Sequence, residues 1–262
     1  MVVRDRRCVV SNYHTYEAFH ERLAARQAKK AIPATLGVFY HIACMINWQE
    51  VVTEQLRLLS FVGLTEANAC VLGSQQDADW CISEAARLGV VLRVPFVAPD
   101  ISLCEGPTLQ MVHDWARDNP DGAALYFHTK AVSRHNDGVK TRWRHVMAKH
   151  VIGDWGRCLD DLAVADMCGV AWHTQPGMPY FAGNFWMARC DWIRHLQPIE
   201  EYRTRHGWGF QFCSQGWRAR MYAETWVGSE PWHHVQSYCG YNVMLCNHNV
   251  FSLPWEVDGF CY

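Results

Sequence analysis

The sequence predicts an α/β protein: a three-layer, Rossmann-like fold on a mainly parallel central sheet, with a Trp- and His-rich C-terminal extension. Three observations lead there. Apolar runs rich in β-formers at 36–42, 68–72, 90–94 and 125–127 alternate with stretches of helical spacing. That alternation implies right-handed crossovers between parallel strands. Leu125-Tyr126-Phe127 then stops abruptly at His128-Thr129-Lys130, as a buried strand does when its carboxyl end opens into a crevice where ligands of open α/β sheets bind.

In chain order, Tyr16, Phe19 and Leu23 sit at helical spacing among charges, which predicts a peripheral helix over 14–30 ended by Pro33. Leu36 to Ile42 is the first strand. Trp48, Val51, Val52, Leu56 and Leu59 mark the buried face of the next helix, with Asn47 as its cap and Glu50 completing a capping box. A strand over Asn68 to Leu72, a helix over Ala78 to Leu88 and a strand over Val90 to Val94 follow, the last ended by Pro95. Glu105-Gly-Pro-Thr108 opens a helix that places Leu109, Val112, Trp115 and Ala116 on one face and stops at Asn119-Pro120-Asp121-Gly122. Beyond a polar loop, 140–162 reads as helix broken near Gly153, and 166–172 and 180–188 read as one strand each. After Arg189 the abundance of Trp, Gly and His obscures the periodicity.

Composition bounds the answer. At 262 residues with half of them hydrophobic, the chain can bury a proper core, and the expectation is one domain. The expected parts are a peripheral N-terminal helix at 1–33, a half at 34–130 and a second half at 131–262. A net charge of -2 supplies no general drive toward nucleic acid or anionic membrane. The twelve cysteines show neither Cys-x-x-Cys nor zinc-type spacing, which reads as reduced core residues. Neither a signal peptide nor an apolar run of membrane-spanning length is legible, so a soluble, cytoplasmic protein is expected.

The chemistry-bearing residues gather at strand ends. Tyr40 and His41 close the first strand and are candidate nucleotide-binding residues, as are Glu105 and Thr108 at a helix start and His128, Thr129 and Lys130 after the central strand. A lysine is a point charge suited to phosphate oxygens, and a neighbouring hydroxyl can donate to them. Gly183-Asn184-Phe185-Trp186 combines a glycine permitting close approach, an amide that bonds hydroxyls both ways and an aromatic for a sugar's apolar face, so Asn184 and Trp186 are the candidate acceptor-binding pair. Glu224 is the candidate general base.

Several of these words, read together, resemble a group of bacterial and viral glycosyltransferase-like proteins, among them surface-polysaccharide and chlorovirus glycan enzymes. They are Tyr40-His41, Glu54-Gln55-Leu56, Gly63-Leu64, Glu105 with Thr108-Leu109, Tyr126-Phe127-His128-Thr129-Lys130, Trp143-Arg144, Gly169-Val170, Gly183-Asn184-Phe185-Trp186 and Glu224-x-Trp226. The chain departs from that group at Ala131, where Gly is usual, which argues against a left-handed backbone there, and at Met187, where a second Trp is usual.

The resemblance implies a GT-A-like fold that moves a sugar from a nucleotide-sugar donor, of UDP type, to a glycan or polysaccharide acceptor, with 34–130 as the nucleotide-sugar-binding half and 131–262 as the acceptor-binding half. In that fold the central strand leads to Asp-x-Asp and a divalent ion, Mn or Mg. Here His128-Thr129-Lys130 fills the slot, and Asp77-Ala78-Asp79 follows the second strand instead, where it fits the acidic first turn of a helix equally well. The metal therefore stays open. Lys130 is expected to stabilise the departing nucleoside diphosphate. Two other readings stand beside this one: transfer to hydroxymethylated bases of phage-type DNA, carried by the basic run from Lys130 to Lys149, and a degenerate homologue that only binds glycans.

Overall fold

The computed structural model describes residues 30–133, 138–175, 178–206, 221–230 and 234–238. Apart from Lys30, the helix expected over 14–30 lies outside the described residues. Strands β1 (Leu36–Ala43), β2 (Glu66–Leu72), β3 (Val91–Ala98) and β4 (Ala123–His128) alternate with helices α1 (Trp48–Phe61), α2 (Gln75–Arg87) and α3 (Gly106–Asp118). Then come α4 (Gly138–Ala148), a π-helical turn (Lys149–Gly153), α5 (Trp155–Asp161), β5 (Met167–Gly169), β6 (Trp172–Gln175), β7 (Met178–Phe181), β8 (Trp186–Arg189), the short α6 (Cys190–Ile193), α7 (Ile199–His206) and β9 (Val235–Ser237). Residues 221–225 are helical.

Seven strands form one sheet in the order β3-β2-β1-β4-β8-β5-β9, and β6 pairs with β7 alone. β1 to β4 are mutually parallel, so Phe39, Leu72, Leu92 and Leu125 lie on neighbouring strands as the apolar runs predict. β8 runs antiparallel to β4 and β5, and the sheet is otherwise parallel.

Side-chain parity divides the core in two, because successive residues of a strand face opposite sides. Val38, Tyr40 and Ile42 of β1 and Leu125 and Phe127 of β4 pack with Leu56 and Leu59 of α1. Phe39 and Tyr126 face the other way, toward Leu109 and Val112 of α3, Trp186 and Trp226. The result is a helix-sheet-helix sandwich. Among the described residues no helix is long and apolar enough to cross a membrane, and the seven described cysteines are free thiols.

Four local expectations are corrected. Asn47 is the residue before α1, but its side chain makes no capping bond; the capping box belongs to α2, where Ser74 and Asp77 bond each other's backbone N–H. The Asp-x-Asp word is therefore spent on a helix start, and Asp79 accepts from Gln75 Nε2 at 2.9 Å. Pro95 does not end β3. The strand runs through it because β3 is an edge, and the register shifts opposite Asn68 and Cys70, a bulge at which proline's missing N–H costs no ladder bond. Finally, 166–172 and 180–188 are each interrupted by a turn, giving β5 with β6 and β7 with β8.

Candidate functional site

In a sheet ordered β3-β2-β1-β4 the chain winds one way from β1 to β3 and then returns to the other side of β1. The crevice at such a switch point, outside the carboxyl ends of the strands, is where open α/β sheets bind ligands. A cavity of about 590 Å³ lies there, lined by His41 and Ala43 from the end of β1, His128 at the end of β4 and Thr129 to Ser133 after it, Glu105, Lys140, Tyr180, Gly183 and Glu224. Met45, Leu72, Ile101 and Cys104 add an apolar wall. The volume is within the range of small-molecule and cofactor sites.

Parity decides which predicted residues reach it. His41 is on the α3 face, buried, with Nδ1 3.0 Å from Thr108 Oγ1. Thr108 stands behind His41, and its hydroxyl is fully buried. Tyr40, one residue earlier, points the opposite way: its hydroxyl donates to Gln55 Oε1 at 2.6 Å and its ring stacks on Phe127 at 4.4 Å. The structure therefore leaves Tyr40 in the core rather than at the cavity.

A buried polar network forms the cavity floor. Glu105 directly precedes α3, yet its carboxylate turns inward to accept from Tyr126 Oη at 3.1 Å and from Asn184 Nδ2. Burial and this carboxylate push the Tyr126 phenol well above its usual range, so it stays a donor. His128 Nε2 donates to Gly183 O at 2.8 Å and lies 3.9 Å from Glu105 Oε1. Burial, opposed by Glu105, lowers the His128 pKa to about 3; with Nε2 carrying the proton, the neutral ring keeps Nδ1 as an acceptor.

Thr129 ties the two strand ends together. Its N–H donates to His41 O at 3.0 Å, and its Oγ1 accepts from Ala43 N at 2.9 Å. Lys130, half-buried, opens the cavity-lining loop, and Lys140 in the first turns of α4 lines the same space. Glu224, at 8 % exposure, lines it from the helical residues 221–225.

Ala131 has a φ of 71°, which corrects the expectation that alanine argues against a left-handed backbone there. A Cβ in that region costs about 1 kcal/mol or more. Ala131→Gly should therefore stabilise the protein by up to about 1 kcal/mol, less the extra entropy that glycine gives the unfolded chain; urea denaturation measures it.

Asn184 and Trp186 are not at the cavity, which corrects their reading as acceptor contacts. Asn184 is 0 % exposed, with a φ of 60° in the turn between β7 and β8, where its N–H donates to Phe181 O at 3.0 Å. Its Nδ2 donates to Glu105 and, at 3.3 Å, to Ala223 O, while its Oδ1 accepts from Trp186 Nε1 at 2.8 Å. Asparagine stands there because it tolerates the left-handed region and because both ends of its amide are used. Gly183 beside it, at a φ of 88°, is needed: a Cβ would lie 2.5 Å from Met147 Sδ and 2.8 Å from Trp143 Nε1.

Sequence reasoning missed the supports of the Lys130 loop, Glu54, Gln55 and Arg144. They occur in two of the resembling words, but no role attached to them because the partners are up to 91 residues apart. For a metal, the strand-end slot supplies no carboxylate, and among the described residues no group of three or more His, Cys, Asp or Glu side chains is placed to hold one.

One protein family, described as Domain of unknown function (DUF8361), matches residues 47–236. No curated protein and no solved structure matches the chain.

Proposed function

The chain belongs to this family of unknown function, and we propose that its cavity transfers a sugar from a nucleotide-sugar donor of UDP type to a glycan or polysaccharide acceptor. One observation carries the reading: a crevice at the β1/β4 switch point is lined by two lysines, Lys130 and Lys140, and two carboxylates, Glu105 and Glu224. Cations there suit a diphosphate and its developing charge, and carboxylates suit sugar hydroxyls and proton transfer. A GT-A-like fold is part of the reading and is supported by the doubly wound β3-β2-β1-β4 half of the sheet.

In this mechanism Lys130 and Lys140 stabilise the nucleoside diphosphate as the glycosidic bond breaks. Glu224 accepts the proton of the attacking acceptor hydroxyl in an inverting transfer. Tyr180, whose ring stacks on His173 with centroids 5.1 Å apart, takes over from Trp186 as the aromatic face for a sugar. No step is routed through a metal.

A thermal-shift screen with UDP, UDP-sugars and uridine, with and without manganese, tests the proposal. A ligand at 100 times its Kd adds about 2.7 kcal/mol to stability, which raises Tm by about 5 to 10 °C in a chain of this size. UDP should give such a shift and uridine a smaller one. If no UDP compound moves Tm in either condition, the reading is wrong.

A further inference from the structure

The turn that bears Lys130 is gripped from outside the cavity by adjacent residues of α1. Gln55 Nε2 donates to His128 O at 3.1 Å while its Oε1 holds Tyr40. Glu54 accepts from Arg144 Nε at 3.1 Å and Nη2 at 2.8 Å, a fork-to-fork pair, and its Oε2 lies 3.1 Å from His145 Nε2. The remaining arm of Arg144, Nη1, donates to Lys130 O at 3.0 Å. The carbonyls on both sides of Thr129 are thus held through α1, and Thr129 itself is bonded to β1.

Stability alone does not account for this arrangement. Arg144 is only 3 % exposed, and a buried ion pair roughly cancels its own desolvation cost, so an apolar pair of equal volume would serve a core as well. What an apolar pair lacks is a donor for the Lys130 carbonyl. The next residue, Ala131, is held at a φ of 71°, a backbone conformation that persists where the surroundings over-determine it. Burial raises the Glu54 pKa, but the bonds from His145 and Arg144 outweigh it and hold the carboxyl at about 2, so the clamp stays charged throughout the neutral range.

We infer that Glu54 and Arg144 are positioning residues: they fix the Lys130–Ala131 peptide so that the Lys130 ammonium is aimed at the diphosphate of the bound nucleotide. The inference rests on the reading of the cavity as a nucleotide-sugar site. Neither residue lines the cavity, so both act through Lys130.

A double-mutant cycle on the full chain tests it, with UDP and uridine as titrants in isothermal calorimetry. Glu54→Gln keeps volume and one acceptor but breaks the charged fork, and should weaken UDP binding about 10-fold while changing uridine binding less than about 2-fold, since a misaimed charge affects only the phosphates. In a Lys130→Ala background the same Glu54→Gln change should alter UDP affinity less than about 2-fold, because the group being aimed is gone. Arg144→Lys, which keeps a buried cation without the fork, should repeat the pattern and serves if Glu54→Gln folds poorly. An equal loss in both backgrounds would mean general loosening and overturn the inference, as would unchanged UDP affinity in Glu54→Gln. Lys130→Ala binding UDP like the parent is a separate result, and it overturns the cavity reading together with the inference.

Discussion

Lys130→Ala should lower turnover of a UDP-sugar by about 100-fold or more, the scale of removing one preorganised charge contact from a developing anion. Lys130 follows the end of β4 and lines the switch-point cavity with Lys140, so a diphosphate there meets both cations. The loss should grow as the leaving group departs, and so fall on kcat as well as on affinity. UDP affinity should drop while uridine affinity barely changes. Lys130→Arg should restore only part of the rate, because a planar fork does not occupy a point charge's position. Steady-state kinetics beside calorimetry reads all of this. A glycan-binding homologue without transferase chemistry would instead show no turnover to lose, and an alanine variant that turns over like the parent would remove the phosphate role of the loop.

Asn184→Ala should destabilise the whole protein by about 3 to 5 kcal/mol, with a Tm lower by roughly 10 °C or more. The amide supplies a donor to Glu105, a donor to Ala223 O and an acceptor to Trp186 Nε1, all without solvent access. Each buried partner left unsatisfied costs about 1 to 3 kcal/mol. Alanine would also keep a Cβ at a φ of 60° without asparagine's tolerance for that region. Asn184→Gly relieves the backbone but not the lost bonds and should recover no more than about 1 kcal/mol of the deficit. Chemical denaturation of the two variants decides the matter. An intact Tm with impaired acceptor use would restore Asn184 to the ligand.

The contrast between these two residues shows what a linear reading can reach. His128-Thr129-Lys130 was legible because an apolar run of β-formers ended in polar residues, and that signal is local. The parallel half of the sheet was legible for the same reason. Tyr40 and His41 are neighbours in sequence but face opposite layers, and which of the two meets α3 depends on the packing of helices that no strand period reveals. Asn184 reads as a polar residue within an apolar stretch, but the stretch is two short strands. Gly183-Asn184 is a turn signal in its own right, and both residues have positive φ. The clamp of Glu54 on Arg144 joins α1 to α4 across 90 residues, a pairing that only the tertiary fold creates.

The bulge at Pro95 bears on how the molecule behaves among its own copies. β3 is one end of the seven-stranded sheet, and Val91 and Phe96 leave it with apolar side chains in solvent. An outer strand of this kind is a template on which a second chain can zip, residue by residue, into a shared sheet. Here the run of donors is cut by a residue with no N–H, the register shifts at the same place, and Arg93, ion-paired with Glu66 of β2, puts a charged side chain one turn of the pleat before it. A visiting strand would find two short half-edges out of line with each other instead of eight residues in register. The irregularity that lets proline sit inside a strand thus also guards the protein's rim against edge-to-edge aggregation.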